Sequence, residues 1–228
     1  MLAYDWIRGH GRELFRVTVT DRRAASVEAE TRACLEAAFA AIRETGLPLE
    51  HIVRSRLWTR DAEARRRASD TRRAELAGRL RGASASLIAP ARLPADTSVA
   101  IDLIVLRAGA PTAEKAIAEY DPPIAPPEFV SLDGMVFLSG NTSTAPGFDT
   151  QLTRIQSQIH TSLGKTGGTW SRVVHVSAFV SETLDQDGAR RQIRERFPEL
   201  ACPLEMTSVA GFSAPEKLVE IEVTADLR

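Results

Sequence analysis

The stretch TGLPLEHIVRSRLW at residues 45–58 returns in outline as TGGTWSRVVHVSAF at residues 166–179. Both stretches begin with Thr-Gly, continue into an apolar pair and end on an aromatic residue. The closing strand of each copy also recurs, as VAID at 99–102 and VEIE at 219–222, after about 120 residues. A period this long predicts two similar domains in tandem and excludes a solenoid of short units.

The chain divides into two domains joined by a linker. We place the first domain at 1–107, the linker at 108–125 and the second domain at 126–228. Residues 108–127 contain five prolines, Pro111, Pro122, Pro123, Pro126 and Pro127. Such a segment cannot form a continuous helix or a central strand, although a brief helix at 112–119 is expected within it.

The periodicity of apolar residues predicts the same order of elements in each copy. In the first copy we expect a helix at 25–45, a polar helix at 61–81 and strands at 2–8, 13–20, 51–59 and 96–106, with a short strand or an extended loop in 83–94. In the second, Asp133-Gly134 between apolar runs predicts a hairpin. Helices ending near 165 and at 185–197 and strands at 173–180, 204–209 and 218–225 follow it. Each domain is therefore predicted as β-β-α-β-α-β(-β), an α+β sheet with both helices on one face.

Composition and charge narrow the classes of function. The net charge of -1 and the pI of about 6.5 offer no basic surface for nucleic acid. Two cysteines are too few for a disulfide framework or a zinc site, and we expect no metal. The sequence contains no apolar run of membrane-spanning length and no signal peptide at its start, so we expect a cytoplasmic protein.

An arginine-rich stretch at 54–81 is the local exception to this neutral charge. Its acidic residues Asp61, Glu63, Asp70 and Glu75 interleave with the arginines at helical spacing. That pattern is typical of a solvated helix with ion pairs along its surface.

Five motifs of the second copy fall together in order and spacing. They are VFLSGN at 136–141, the helix end TGG at 166–168, VV at 173–174 leading to FV at 179–180, CP at 202–203 and VEIEV at 219–223. Together they resemble the RidA family, also called the YjgF family, over about residues 126–228. The first copy, about 4–107, is similar to a divergent member of the same family.

The resemblance implies a chorismate-mutase-like fold for each domain and assembly as a trimer with clefts between subunits. Well-known members hydrolyse reactive enamines and imines without a metal or cofactor, gripping the substrate carboxylate with an arginine two residues after the proline matching Pro203. Here that position is Glu205, and in the first copy it is Ala85. The usual activity on amino-acid-derived imines is therefore not expected in its usual form.

The family glutamate that positions or activates water is matched by Glu220, whose partner in the first copy is Ala100. The first copy has also replaced Ser139-Gly140-Asn141 by Val17-Thr18-Val19 and Pro203 by Ala83. We therefore assign the site to the second copy and treat the first as a scaffold.

The catalytic candidates are Glu220 and Glu205. If both face one cleft, their pKa values would separate, so that one is the acid and the other the base, or the pair would bind a cationic amine. Exposed strand charges are the alternative for either residue. Glu222 is interpreted as structural. The substrate-binding candidates are Ser139, Gly140, Asn141, Thr207 and Phe129.

The leading hypothesis is a RidA-like small-molecule enzyme without a cofactor, acting on an imine, an enamine or a related nitrogen-containing intermediate. The reaction would be hydrolysis, deamination, dehydration or tautomerisation. The alternative is a non-catalytic ligand-binding or regulatory protein that kept the fold. We expect a small-molecule substrate, no nucleic-acid or membrane partner, and a homo-oligomer, with a trimer favoured over a dimer. A chain that pairs its own two halves is the third arrangement.

Overall fold

The computed structural model describes residues 1–110, 112–197 and 202–228. The first half contains five strands and two helices. In chain order they are β1 (Leu2–Gly9), β2 (Arg12–Val19), α1 (Val27–Glu44), β3 (Ile52–Thr59), α2 (Ala62–Glu75), β4 (Ala83–Ile88) and β5 (Val99–Leu106). The strands form one sheet in the order β1-β2-β5-β3-β4, in which only β3 and β4 run parallel.

Local sequence accounts for these elements. Ser26 caps α1 by accepting a hydrogen bond from the Ala29 N–H, and a stripe of small and aliphatic side chains on the helix is buried. Phe15, Val17 and Val19 alternate along β2 and pack beneath this helix. The first domain therefore has a core of its own between its sheet and its helices.

The second half repeats the arrangement. Its elements are β6 (Ala116–Ala118), β7 (Phe129–Leu132), β8 (Met135–Leu138), β9 (Asn141–Thr142), α3 (Phe148–Lys165), β10 (Val173–Ser181), α4 (Gln186–Arg196), β11 (Leu204–Val209) and β12 (Val219–Asp226). The sheet order is β11-β10-β12-β8-β7-β6, with β9 pairing to β12. The predicted α+β class and the tandem β-β-α-β-α-β layout are confirmed.

The linker differs from the expectation at one point. Residues 112–119 do not form the predicted helix; β6 lies there instead and pairs antiparallel with β7. Eight residues are too few for a stable isolated helix, whereas the free edge of β7 offers backbone hydrogen bonds. Pro111 lies outside the described residues.

The two sheets pack against each other through the faces that their helices leave uncovered. One apolar cluster joins Trp58 and Leu87 of the first domain to Phe179 and Phe212 of the second. The Trp58 and Phe179 rings meet edge to face, with centroids 5.6 Å apart. The two halves of one chain thus pair with each other, while assembly of whole chains into a trimer or a dimer stays a prediction.

The sheets also share one register, so positions in the two domains can be matched residue by residue. The cross-strand pair Trp58–Ala100 of the first sheet corresponds to Phe179–Glu220 of the second. Likewise, Arg56–Asp102 corresponds to Ser177–Glu222, and Arg56–Ala85 corresponds to Ser177–Glu205. Ala100 therefore corresponds to Glu220, Asp102 to Glu222, and Ala85 to Glu205.

Among the described residues, no helix combines the length and the apolar character needed to cross a lipid bilayer.

Candidate active site

A cavity of about 430 Å³ lies between the two domains; we call it the Glu220 cavity. Its first wall comes from α2 and β4 of the first domain. The second wall is formed by residues 140–142, Lys217 and Glu220, and the linker from Tyr120 to Pro127 closes one side. Elements from both domains are therefore needed to build it, and such interdomain clefts are frequent ligand sites.

Glu220 is the acidic residue of this cavity. It lies on β12 with only 7% of its surface exposed. The pKa of Glu220 is raised to about 8, chiefly by burial and then by the neighbouring carboxylate of Glu222, whose effects outweigh the lowering by nearby cations. Glu220 is therefore mostly protonated at neutral pH, which makes it a proton donor.

Five cations among the described residues line the cavity with Glu220. Two of them are neutralised, because Arg73 pairs with Asp70 and Arg81 pairs with Glu119. The three that remain are Arg65, Arg72 and Lys217. Arg72 is buried and donates to the backbone oxygens of Ala85 at 2.8 Å and Ser55 at 3.3 Å, so neutral acceptors hold it in place. Burial lowers the pKa of Arg72 to about 10, which still leaves it charged at neutral pH.

The other two cations have incomplete or neutral partners. The Arg65 Nε is buried without a hydrogen-bond acceptor among the described residues, and Lys217 Nζ donates to Ser213 Oγ at 2.6 Å. Within the described part of the chain, neither they nor Arg72 form a salt bridge. A cavity with three such cations and one protonated acid is suited to a small anionic ligand, above all a carboxylate.

Gly140 fits the cavity because it has no side chain. A Cβ at this position would fall within the carboxyl group of Glu220 and lie 2.8 Å from its Cγ. The Gly140 N–H donates to the Ser84 carbonyl at 3.1 Å, which ties the second domain to β4 of the first. Gly140 therefore lets the Glu220 side chain lie flat against the backbone.

Of the remaining substrate-binding candidates, Asn141 lines the same cavity, whereas Ser139 holds the loop. Ser139 Oγ donates to the Pro127 carbonyl at 2.6 Å and accepts from the Ser84 N–H at 3.1 Å. Phe129 does not reach the cavity because it packs against the core of the second domain.

Glu205 does not share a cavity with Glu220, so the condition under which the two carboxyl groups would act as a pair is not met. The strand β10 lies between β11 and β12, and Glu205 stands in register with Ser177 and Glu222. Its carboxylate accepts from Ser177 Oγ at 3.2 Å and lies 3.6 Å from His175 Nε2. Glu205 and the other predicted binding residue, Thr207, line a separate cavity.

Glu222 forms a buried ion cluster with two arginines of β3. Its Oε2 accepts from Arg54 Nη1 and from Arg56 at 2.9 Å (Nε) and 2.7 Å (Nη2). Burial would raise the pKa of Glu222, but the two guanidinium groups more than offset it and hold that pKa below its ordinary value. Glu222 is therefore ionised beside a protonated Glu220, two residues away on the same strand face.

The first domain is more than a scaffold, because it supplies Arg65 and Arg72 to the cavity. The expectation of a solvated, ion-paired α2 holds for the outward residues, where Arg66 pairs with Glu63 at 2.7 Å. Arg72, however, follows Ala68 by one turn on the buried side of the helix. In the sequence, the position of Arg72 one turn after Ala68 indicates that Arg72 lies on the buried side of the helix. The expectation of a solvated helix did not include this pattern.

No protein-family model matches the chain, and no curated protein matches it. A crystal structure of a chorismatase aligns over 97% of this chain and 79% of its own, at 16% identity with a TM-score of 0.62. A YjgF/YER057c/UK114 protein from Mycobacterium tuberculosis aligns over 50% of this chain and 99% of its own, at 21% identity and a TM-score of 0.43. A YjgF protein from Neisseria meningitidis covers 50% of this chain and 96% of its own, at 21% identity and 0.42.

The chorismatase structure covers nearly all of the chain, and at 16% identity it shows the fold alone. The chain is a tandem two-domain α+β protein. The neighbours include YjgF-family structures, as the resemblance drawn from the five motifs predicted. The protein keeps the glutamate matched in that resemblance, Glu220, and takes its cationic residues from the other domain and from Lys217.

Proposed function

We propose that this RidA-like protein is a cofactor-independent enzyme that hydrolyses a small carboxylate-bearing enamine or enol ether in the Glu220 cavity. The observation that carries the proposal is the pairing of one buried, protonated carboxyl group with three cations that lack carboxylate partners among the described residues. The cations bind the substrate carboxylate, and Glu220 faces the part of the substrate that reacts.

The first chemical step is the transfer of the Glu220 proton to the β-carbon of the substrate double bond. The nitrogen or oxygen lone pair moves in as the double bond is protonated, which gives an iminium or oxocarbenium ion. Water then adds to the electron-poor carbon, and the ionised Glu220 takes back a proton from that water. Collapse of the adduct releases ammonia or an alcohol and leaves a keto acid.

The environment of Glu220 suits both halves of this cycle. A pKa of about 8 keeps the group protonated before the reaction, close to the pH at which general acids work best. Arg65, Arg72 and Lys217 then stabilise the carboxylate that proton transfer creates, because each lowers the pKa of Glu220. The arginine that RidA relatives place after their proline is not needed for this scheme.

Two substrates test the proposal directly. The first is 2-aminoacrylate, released from L-serine by an added dehydratase. The second is chorismate, chosen because the chorismatase that aligns with the whole chain acts on it by its name, and because it bears carboxylates and an enol ether. Both yield pyruvate on hydrolysis, so one coupled assay follows both reactions, with the spontaneous rate subtracted.

We expect turnover of at least one of the two, and a loss of at least about 100-fold in kcat for Glu220→Gln. Arg72→Met should raise KM, whereas Arg66→Met on the outer face of the same helix should change neither constant. Tight binding of the anions without turnover would favour the alternative, a ligand-binding protein. Equal kcat for Glu220→Gln and the parent would overturn the mechanism.

A further inference from the structure

A second interdomain cavity, of about 220 Å³, lies where Glu205 and Thr207 of β11 face the first domain. We call it the Glu205 cavity. Its opposite wall contains Ala100 and Asp102 of β5, together with Trp58. Nothing in the reaction scheme for the Glu220 cavity uses it.

The two cavities are counterparts of each other. The Glu220 cavity combines Glu220 of the second domain with Ala85 of the first. The Glu205 cavity combines the equivalents of these residues with the domains exchanged, namely Ala100 of the first domain and Glu205 of the second. Packing two similar sheets face to face creates both clefts, because a contact between like surfaces occurs twice.

The Glu205 cavity differs from the Glu220 cavity in its charged residues. At the position equivalent to Glu220, the Glu205 cavity has Ala100 and therefore no carboxyl group. At the position equivalent to Ala85 of the Glu220 cavity, it has the carboxylate of Glu205. Asp102 adds a second carboxylate, only 6% exposed, whose Oδ2 accepts from Trp58 Nε1 at 2.8 Å. In the described structure the other oxygen of each of these two carboxylates accepts no hydrogen bond.

One cation of the Glu205 cavity is also free of partners within the described residues. The Arg92 guanidinium stacks on the Trp58 ring, 4.1 Å from its centroid, and donates no hydrogen bond there. The two other arginines of the lining are engaged, because Arg56 donates to Glu222 and Arg16 pairs with Asp5 at 2.9 Å. Thr20 Oγ1, buried without a partner in the described part of the chain, lies in the same lining.

We propose that the Glu205 cavity is a second ligand site, which binds a small zwitterionic amino acid. Arg92 offers its planar guanidinium to the α-carboxylate, and the free oxygens of Asp102 and Glu205 accept from the α-ammonium group. Thr20 is available to a polar side chain. Because liquid water occupies about 30 Å³ per molecule, the cavity has room for about seven waters or a ligand of similar size.

The charges favour a zwitterion over a simple ion. A carboxylate without an amine would satisfy Arg92 but would bring a third negative charge beside Asp102 and Glu205. An amine without a carboxylate would leave Arg92 without an acceptor. Only a ligand with both groups satisfies all three side chains.

Isothermal titration calorimetry on the whole protein tests the proposal with glycine, L-alanine, L-serine, L-threonine and L-aspartate. At least one should bind with one site per chain. Its deaminated and decarboxylated counterparts, which for L-threonine are 3-hydroxybutyrate and 1-amino-2-propanol, should each bind at least about tenfold more weakly. Failure of all five amino acids to bind would refute the site.

Variants locate the ligand. Arg92→Met keeps an aliphatic side chain against Trp58, and Glu205→Gln alters a half-exposed side chain. Both variants should therefore fold, and thermal denaturation checks that they do. Each should weaken binding at least about tenfold, and the surface control Arg66→Met should not. Glu220→Gln should keep full amino-acid affinity, which separates this site from the proposed function. Loss of binding in Glu220→Gln but not in Arg92→Met would place the ligand in the other cavity and overturn the proposal.

Discussion

Replacing Glu220 by Gln should make the folded protein more stable at neutral pH. Burial raises the pKa of this carboxyl from 4.5 to about 8, so at pH 7 the native state holds a proton that the unfolded chain releases. Each pKa unit between 4.5 and pH 7 corresponds to about 1.4 kcal/mol, and holding the proton therefore costs about 3 kcal/mol at pH 7. Gln has nearly the shape of a protonated Glu and carries no such cost.

The sign of the effect sets its pH dependence. Below about pH 4.5 the carboxyl is protonated in both states, and its ionisation contributes nothing to the unfolding free energy. As pH rises from about 4.5 to about 8, the unfolded chain ionises first and the parent protein loses stability. Above about pH 8 both states are ionised and the loss stops growing. The difference between Glu220→Gln and the parent should follow this curve.

Urea denaturation at pH 4, 7 and 8.5 measures the difference. We expect nearly equal unfolding free energies at pH 4 and an advantage of about 3 kcal/mol for Glu220→Gln at pH 7. A variant that is less stable than the parent at pH 7, or a difference that is the same at every pH, would refute the assignment of a protonated, buried Glu220.

The matched control is Glu222→Gln, the same chemical change two residues along β12. Glu222 neutralises Arg54 and Arg56 in the buried interface, so its loss leaves two guanidinium groups without a counter-charge. We expect a destabilisation of about 3–5 kcal/mol at pH 7. The pKa of Glu222 is lower in the folded protein than in the unfolded chain, so its ionised carboxylate stabilises the fold. This stabilisation is fully present above the ordinary carboxyl pKa, and it is lost as the pH falls through the lowered pKa of the folded protein. The two substitutions should thus act with opposite signs.

Three further outcomes are expected. Gly140→Ala should displace the Glu220 carboxyl and abolish turnover. In the control Gly164→Ala, the added Cβ meets nothing within 4 Å, so this variant should keep full activity. Equal rates in the two variants would contradict the close contact between Gly140 and Glu220. The kcat/KM profile of the parent should fall above about pH 8 as Glu220 loses its proton, and a flat profile to pH 9 would argue against an acid role. Trp58→Phe should lower the unfolding free energy by about 1–3 kcal/mol, because Asp102 loses its 2.8 Å indole donor, and calorimetry that finds no loss would count against that bond.

Most of the fold could be predicted because its signals are local. Asp133 and Gly134 both adopt positive φ, as the hairpin between two apolar strands required. The buried stripe of α1 and the alternation of β2 follow from their own periods. The error at 112–119 arose where the outcome depended on β7, a neighbour that the local pattern does not contain.

The candidate site was predicted in part. Glu220 and Gly140 were found because they lie within the second copy and match its motifs. Arg65 and Arg72 were interpreted as surface charges, since no local pattern shows that the opposite domain covers their side of α2. The separation of Glu205 from Glu220 into another cavity could not be predicted, because it depends on which strands lie between the two residues.

By itself, the sequence determined the duplication, through the stretches at 45–58 and 166–179, and the α+β class, through its periodicity. It also determined which half kept the glutamate, through VAID at 99–102 and VEIE at 219–222. Those features depend on residue periods and spacing, which a single strand or helix expresses alone. Only the tertiary structure decided that the sheets pack face to face, that the Glu220 cavity and the Glu205 cavity open between them, and that the charges of these two cavities differ. Burial and the pKa of Glu220 depend on side chains far apart in the chain, and these come together only when both domains have folded.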